Sequence, residues 1–225
     1  MSNIPDVPPL PADLLRRARM VGHRAEILRF LPKGGVVCEI GVAYGDFSAE
    51  IISACRPSHF IAIDLFNIEQ YPSMWGFERL QGGSHLEFYR TRFRGEIERQ
   101  KITVMVGNST DMLAQLPDES VDVFYVDAWH SYEAVSAELA LISQKITKKG
   151  WIILNDYVLY DVVANVTYGV IPAANEFMIR EGWEMRFFAL HPWMYCDVAI
   201  RRRPTARPRR RFFAKPQSPA LPARG

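Results

Sequence analysis

The chain has 225 residues, of which 48% are hydrophobic, enough for one well-buried domain and too few for two. Its formal charge of +2 is a cancellation: residues 1–200 hold 18 lysines and arginines against 25 acids, whereas residues 201–225 hold nine basic residues and no acid. Three cysteines without C-x-x-C spacing exclude a disulfide framework or a zinc finger, and the absence of a signal-peptide core or a ~20-residue apolar span leads us to expect a soluble, cytoplasmic protein.

From Pro11 onward, Leu14, Ala18, Val21, Ala25 and Leu28 recur at spacings of four and three, which predicts an N-terminal helix stopped at Pro32-Lys33-Gly34-Gly35. Residues 36–40 are predicted as a buried strand, 46–54 as a helix and 59–64 as a second strand. Residues 65–83 show little periodicity. A charged helix over 84–100 precedes a third strand at 102–106, a short helix at 110–116 and a fourth strand at 121–126. A helix over 132–146, a fifth strand at 151–154 and a helix over 171–180 follow, and 184–190 with 195–201 close the sheet as an antiparallel pair. Strands alternating with helices predict right-handed βαβ units, an α/β fold with a mostly parallel sheet. Ligands bind such sheets outside the carboxyl ends of the strands, at the switch point.

The first strand ends in Glu39-Ile-Gly41-Val-Ala43-Tyr-Gly45-Asp46. Two glycines between a strand and a helix let the backbone turn tightly beside a ligand. Asp64 ends the second strand, where a carboxylate can accept both ribose hydroxyls of an adenosine. A dinucleotide would require glycine at Ala43 and no anion at Asp46, so the turn disfavours pyrophosphate. S-adenosylmethionine, an adenosine with a cationic sulfonium and an amino-acid end, lacks phosphates: Glu39 and Asp46 suit its cations, and nearby helix N–H groups suit its carboxylate. A glycine turn without any ligand is the competing interpretation.

These residues, with Ile61-Ala-Ile-Asp64 and Gly107-Asn108-Ser109, resemble successive motifs of class I S-adenosylmethionine-dependent methyltransferases, over about residues 34–200. The resemblance implies a Rossmann-like, seven-stranded sheet with helices on both faces and an antiparallel last strand. It also implies cofactor binding by Glu39, Gly41, Gly45, Asp46 and Asp64, with Asn108 or Ser109 beside the adenine. The usual glycine inside the first motif is replaced by Ala43.

Asp127-Ala-Trp-His130-Ser-Tyr132 ends the fourth strand and Asn155-Asp156-Tyr157 the fifth. The pair resembles a branch with an Asp-Gly-x-His-x-Tyr motif and a later acidic pair, which includes O-methyltransferases of sugars, some holding a divalent metal. This implies Asp127, Asn155 and Asp156 as ligands of a Mg²⁺ cofactor, although Ala128 replaces the glycine and Asn155 an acid. Hard oxygen donors suit Mg²⁺. A metal can acidify an acceptor hydroxyl, or His130, with Asp127 as its catalytic companion, can act as general base. Asp127 as a helix cap or a cofactor-binding acid, His130 packed under the sheet and Asn155-Asp156 as a turn pair are the alternatives.

Phe66, Tyr71, Trp75 and Phe77 suggest a lid or an oligomer contact in residues 65–83, and His191-Pro192-Trp193 either joins that surface or closes a hairpin. Three segments are expected: an N-terminal helical part (1–33), a methyltransferase domain (34–201) and a basic, proline-rich disordered tail (202–225). The leading expectation is an O-methyltransferase for a small hydroxylated acceptor, a saccharide or glycosylated metabolite, working alone or as a homo-oligomer. An RNA methyltransferase holding nucleic acid with the tail and a non-catalytic cofactor-binding scaffold are the alternatives.

Overall fold

The computed structural model describes residues 7–204. In chain order the elements are α1 (Ala12–Leu15), β1 (Arg19–Val21), α2 (Arg24–Ile27), β2 (Val36–Ile40), α3 (Asp46–Cys55), β3 (His59–Asp64), α4 (His85–Arg92) and α5 (Arg94–Glu98). They continue with β4 (Ile102–Val106), α6 (Ser109–Gln115), β5 (Val121–Val126), α7 (Tyr132–Lys145), β6 (Ile146–Leu154), β7 (Tyr160–Asp161), β8 (Val166–Thr167), α8 (Val170–Glu181), β9 (Trp183–Ala189) and β10 (Asp197–Arg202).

Eight strands form one sheet in the order β1-β9-β10-β6-β5-β2-β3-β4, and β7 pairs with β8 in a small separate ribbon. Among the described strands of this sheet only β10 runs against its neighbours, β6 and β9, so the expected antiparallel last strand is present. The expected count of seven becomes eight because Arg19–Val21 pairs in parallel with Phe187–Ala189 at the sheet edge. This strand also breaks the helix expected over 12–28. Short-range periodicity is a weak preference, and the open edge of β9 offers hydrogen bonds that an exposed helix turn cannot match. Two one-turn helices remain on either side, the second capped by His23, whose Nδ1 accepts from the Ala25 N–H at 3.2 Å.

Period-two alternation divides the core between the two sheet faces. Cys38, Ile40, Phe124, Val126, Ile152 and Leu154 pack with Leu113, Val135, Leu139, Ile142 and Phe177 of α6, α7 and α8. Val37, Phe60, Ala62, Val123 and Ile153 pack with Ile27, Phe47, Ile51 and Tyr89 of α2, α3 and α4. Each such buried side chain contributes about 1.5–3 kcal/mol. Helices therefore cover both faces, and the α/β Rossmann-like fold stands.

Chain order reverses between β2 and β5, which lie side by side in parallel register. The loops that follow them, 41–45 and 127–131, diverge to opposite faces and leave a crevice between them. Arg202, which the sequence places in the tail, belongs to β10. From residue 205 the tail lies outside the described residues.

Candidate active site

The crevice widens into a cleft of about 550 Å³, within the roughly 300–1,000 Å³ range of small-molecule sites. Its floor is the β2–α3 turn. Gly41 has φ +81°, and a Cβ there would stand 2.0 Å from the Asp127 carbonyl oxygen, so the two loops meet only because this residue has no side chain. Ala43, in place of the usual glycine, adopts φ +41° and is held by its neighbours: its N–H donates to Asp64 Oδ2 at 3.3 Å, and its carbonyl lies 2.5 Å from His85 Nε2.

Asp64 is bound from within this turn. Its Oδ2 also accepts from the Val42 N–H at 2.8 Å, and its Oδ1 accepts from the Phe66 N–H at 2.8 Å. Asp46 opens α3 beside the cleft and is bound by two guanidinium groups: Arg79 at 2.6 and 3.0 Å and Arg92 at 2.6 Å. Arg79 first, with Arg92, holds its carboxyl well below the ordinary range. The charge assigned from sequence to a ligand cation is thus already balanced. Glu39 lines the cleft with its carboxylate buried, accepting from Ser48 Oγ. Burial pushes its pKa well above the usual value, so a cation placed there would restore its charge.

Asp127, His130 and Asp156 line the opposite wall. His130 Nε2 lies 3.6 Å from Asp127 Oδ1 and 3.9 Å from Asp156 Oδ2, beyond ordinary hydrogen-bond length, and this buried nitrogen has no partner among the described residues. The imidazole stacks on Tyr168 at 4.6 Å. Burial lowers its pKa, but Asp127 and then Asp156 and Glu138 outweigh that and raise it above the ordinary histidine value. Asp156 is pushed up to about 6 by burial and by the charge of Asp127.

The metal-ligand set expected from sequence does not assemble. Asn155 is buried and turned away from the cleft, donating from Nδ2 to Asp197 Oδ1 at 3.3 Å. Its strand neighbour β10 carries that acid, and an unpaired buried amide would cost more than the cleft contact could return. A guanidinium, Arg24, stands 3.8 Å from Asp127 Oδ2. Among the described residues no group of three or more His, Cys, Asp or Glu is placed to hold a metal ion. This donor set does not fit Mg²⁺.

Asn108 and Ser109 begin α6, which packs against α7 and β3, and neither lines the described cleft. Asn108 caps the helix, its Oδ1 accepting from the Thr110 N–H at 3.0 Å. Between them and His130 sits Glu138 of α7, buried and pushed up to about 7 by desolvation.

Several residues escaped the sequence reading. Asp161, at the start of the β7–β8 ribbon, accepts from the Val163 and Ala164 N–H groups at 2.8 and 3.0 Å, from Tyr168 OH at 2.8 Å and from Tyr195 OH. This fixes the ribbon as a wall of the cleft. Gly169 completes it: its N–H donates to the His130 carbonyl at 2.7 Å, and a Cβ would stand 2.0 Å from Tyr132 N. Arg24, Tyr125 and Asp197 form a chain that runs from the cleft wall into the core, with Arg24 Nη1 donating to Tyr125 OH at 2.9 Å and Tyr125 OH donating to Asp197 Oδ2 at 2.9 Å. The only trace in the sequence was polar groups inside apolar strand patterns.

Residues 38–157, more than half of the chain, match the family described as Methyltransferase domain. The chain belongs to this family. It is an enzyme, an S-adenosylmethionine-dependent methyltransferase. The fold is shared with a precorrin-6y C5,15-methyltransferase from Geobacter metallireducens GS-15, at 16% identity and a TM-score of 0.53, covering 79% of this chain and 85% of that one. It is likewise shared with an S-adenosylmethionine-dependent methyltransferase from Aquifex aeolicus (12% identity, TM-score 0.54, 79% and 89% covered). A ribosomal protein L11 methylase from Lactobacillus delbrueckii subsp. bulgaricus gives 12% identity, a TM-score of 0.54 and coverage of 79% and 76%. At these identities the likeness is one of fold. No curated protein sequence matches the methyltransferase.

Proposed function

We propose that the methyltransferase methylates a hydroxyl oxygen of a saccharide or glycosylated small molecule, with His130 as general base. The observation that carries this reading is the unpartnered, buried His130 Nε2 between Asp127 and Asp156 on the cleft wall. An alcohol is a poor nucleophile until its proton leaves, and a base within reach of that proton supplies about 10²–10⁴-fold.

Bound in the cleft, S-adenosylmethionine supplies a methyl group on a positively charged sulfur. The chain's residues divide the remaining work. Glu39 faces the ammonium end, and Asp64, with three of its roughly four acceptor sites filled by amide N–H groups, keeps one for the ribose. To meet Asn108 and Ser109, the residues the resemblance gives it, the adenine has to extend beyond the described cleft. His130 takes the proton from the acceptor hydroxyl as its oxygen bonds to the methyl carbon, the carbon–sulfur bond breaking to leave a neutral thioether. Asp127 and Asp156 stabilise the imidazolium so formed, and the ring holds its orientation against Tyr168.

Exposed Trp75, Trp129 and Trp193, at 63%, 75% and 68% exposure, stand in segments that bear cleft residues, and flat aromatic faces suit sugar rings. The carboxylates of the cleft oppose a polyanion, which weighs against RNA as acceptor. No step requires a metal ion. The test is a panel of glycosides and polyols incubated with methyl-labelled cofactor, with Mg²⁺ or EDTA. Transfer to a sugar hydroxyl, insensitive to EDTA and lowered about 10²–10⁴-fold in His130→Ala, is expected. Transfer that EDTA stops would restore the metal reading, and transfer only to RNA would replace the saccharide.

A further inference from the structure

The cleft is lined by five carboxylates, Glu39, Asp46, Asp127, Asp156 and Asp161, and among its described residues by a single arginine or lysine, Arg24. This residue belongs to α2, upstream of the segment that matches the family, and reaches the site from the N-terminal part of the chain. Its guanidinium lies 4.2 Å above the Phe47 ring, which fixes its plane, and Nη1 is anchored on Tyr125 OH at 2.9 Å. A guanidinium carries five donors in a planar fork, and this is the one side-chain hydrogen bond it makes among the described residues. The approach to Asp127, 3.8 Å from Nη1, is too long for another. The side chain remains about a third open, at 32% exposure, on the wall shared with Glu39.

The ligand of this cleft bears two positive charges and one negative one. Its sulfonium and ammonium can meet acids on these walls, whereas its carboxylate finds no arginine or lysine among the described lining residues except Arg24. We propose that Arg24 binds the carboxylate of the cofactor's amino-acid end, and so makes the N-terminal segment part of the cofactor site. This rests on the cleft being the S-adenosylmethionine site. The pairing is charge-assisted and can be two-pronged, which makes it one of the stronger contacts available to a protein. It also gives the enzyme a means of distinguishing the intact amino-acid end from nucleosides that lack it.

The experiment compares two ligands that differ only in this group: S-adenosylhomocysteine and its decarboxylated form, 5′-deoxy-5′-(3-aminopropylthio)adenosine. Calorimetric titration of the wild-type protein should show a preference of at least about tenfold for the carboxylate-bearing ligand. In Arg24→Gln that preference should collapse to near unity while the affinity for the decarboxylated ligand stays within about twofold, and Arg24→Lys should keep part of it. Equal affinities in the wild type overturn the proposal without recourse to any variant. So does a preference that survives in Arg24→Gln, or a parallel fall for both ligands, which would mean that Arg24 merely supports Tyr125 and the wall. Failure of the wild type to bind either ligand would overturn the cofactor assignment of the cleft as well.

Discussion

Two groups of carboxylates stand at the same end of one sheet and differ in how many donors reach them. Asp64 accepts three backbone N–H groups, Asp46 is bound by two arginines, and Asp161 accepts two N–H groups and two tyrosine hydroxyls. Asp127 and Asp156, by contrast, face His130 at 3.6 and 3.9 Å across a gap. The first group shapes the cleft: each acid ties a loop in place and has little capacity left. The second is under-bonded at His130, whose buried Nε2 has no hydrogen-bond partner among the described residues, and a buried polar group without one costs stability. Degree of satisfaction, more than residue type, separates the acids that build this site from those proposed to act in it.

The largest effects should come from the under-bonded set. His130→Ala is expected to lower turnover about 10²–10⁴-fold on the acceptor found by screening, with S-adenosylhomocysteine affinity within about twofold of wild type. A variant with unchanged turnover would remove His130 as the base. Its titration can be followed by NMR without any acceptor. Since Asp127 favours the imidazolium, wild-type His130 should titrate above the ordinary 6.5, and Asp127→Asn should move it down. If His130 is the base, the acid limb of the rate profile should move in the same direction.

Next in size are the backbone contacts that close the two walls. Gly41→Ala places a methyl group against the Asp127 carbonyl at a left-handed φ, and should cost at least about 2 kcal/mol in chemical denaturation and weaken cofactor binding. Within the saturated set, Asp161→Asn should cost about 2 kcal/mol, read as a lower melting temperature and faster proteolysis within residues 157–169. Burial raises the Asp161 pKa, but the hydroxyls of Tyr195 and Tyr168 and two N–H groups pull it down to about 2. A depressed carboxyl stabilises the fold above its unfolded value of 3.8, and this contribution should fade as the pH falls from there through about 2. If Asp161→Asn leaves stability unchanged, the contrast between building and acting acids fails on its structural side.

The smallest effect should be Ala43→Gly. Left-handed backbone costs a non-glycine residue about 1–2 kcal/mol, and glycine gives part of that back in unfolded-state entropy. The variant should be stabilised by at most about 1 kcal/mol, with cofactor affinity unchanged.

Sequence periodicity by itself determined the central sheet. Strands 36–40, 59–64, 102–106 and 121–126 were read to the residue, because strands buried on both faces appear as short apolar runs bounded by polar turns. The same runs placed Asp64, Asp127, His130 and Asp156 at carboxyl ends, since a strand end is a local property. Tertiary structure alone decided the rest. Whether Arg19–Val21 forms a helix turn or a strand depends on the vacant edge of β9, far away in the chain. Asn155 follows the same strand as Asp156 yet is turned to the buried Asp197, because alternate residues point to opposite sides and the partner lies on β10. Arg24 enters the cleft from a one-turn helix whose own sequence holds no mark of a site. Hydrogen-bond satisfaction and charge balance are sums over neighbours that only the folded chain brings together, and they separate Asp46 and Asp161, well supplied with donors, from Asp127 and Asp156 beside His130.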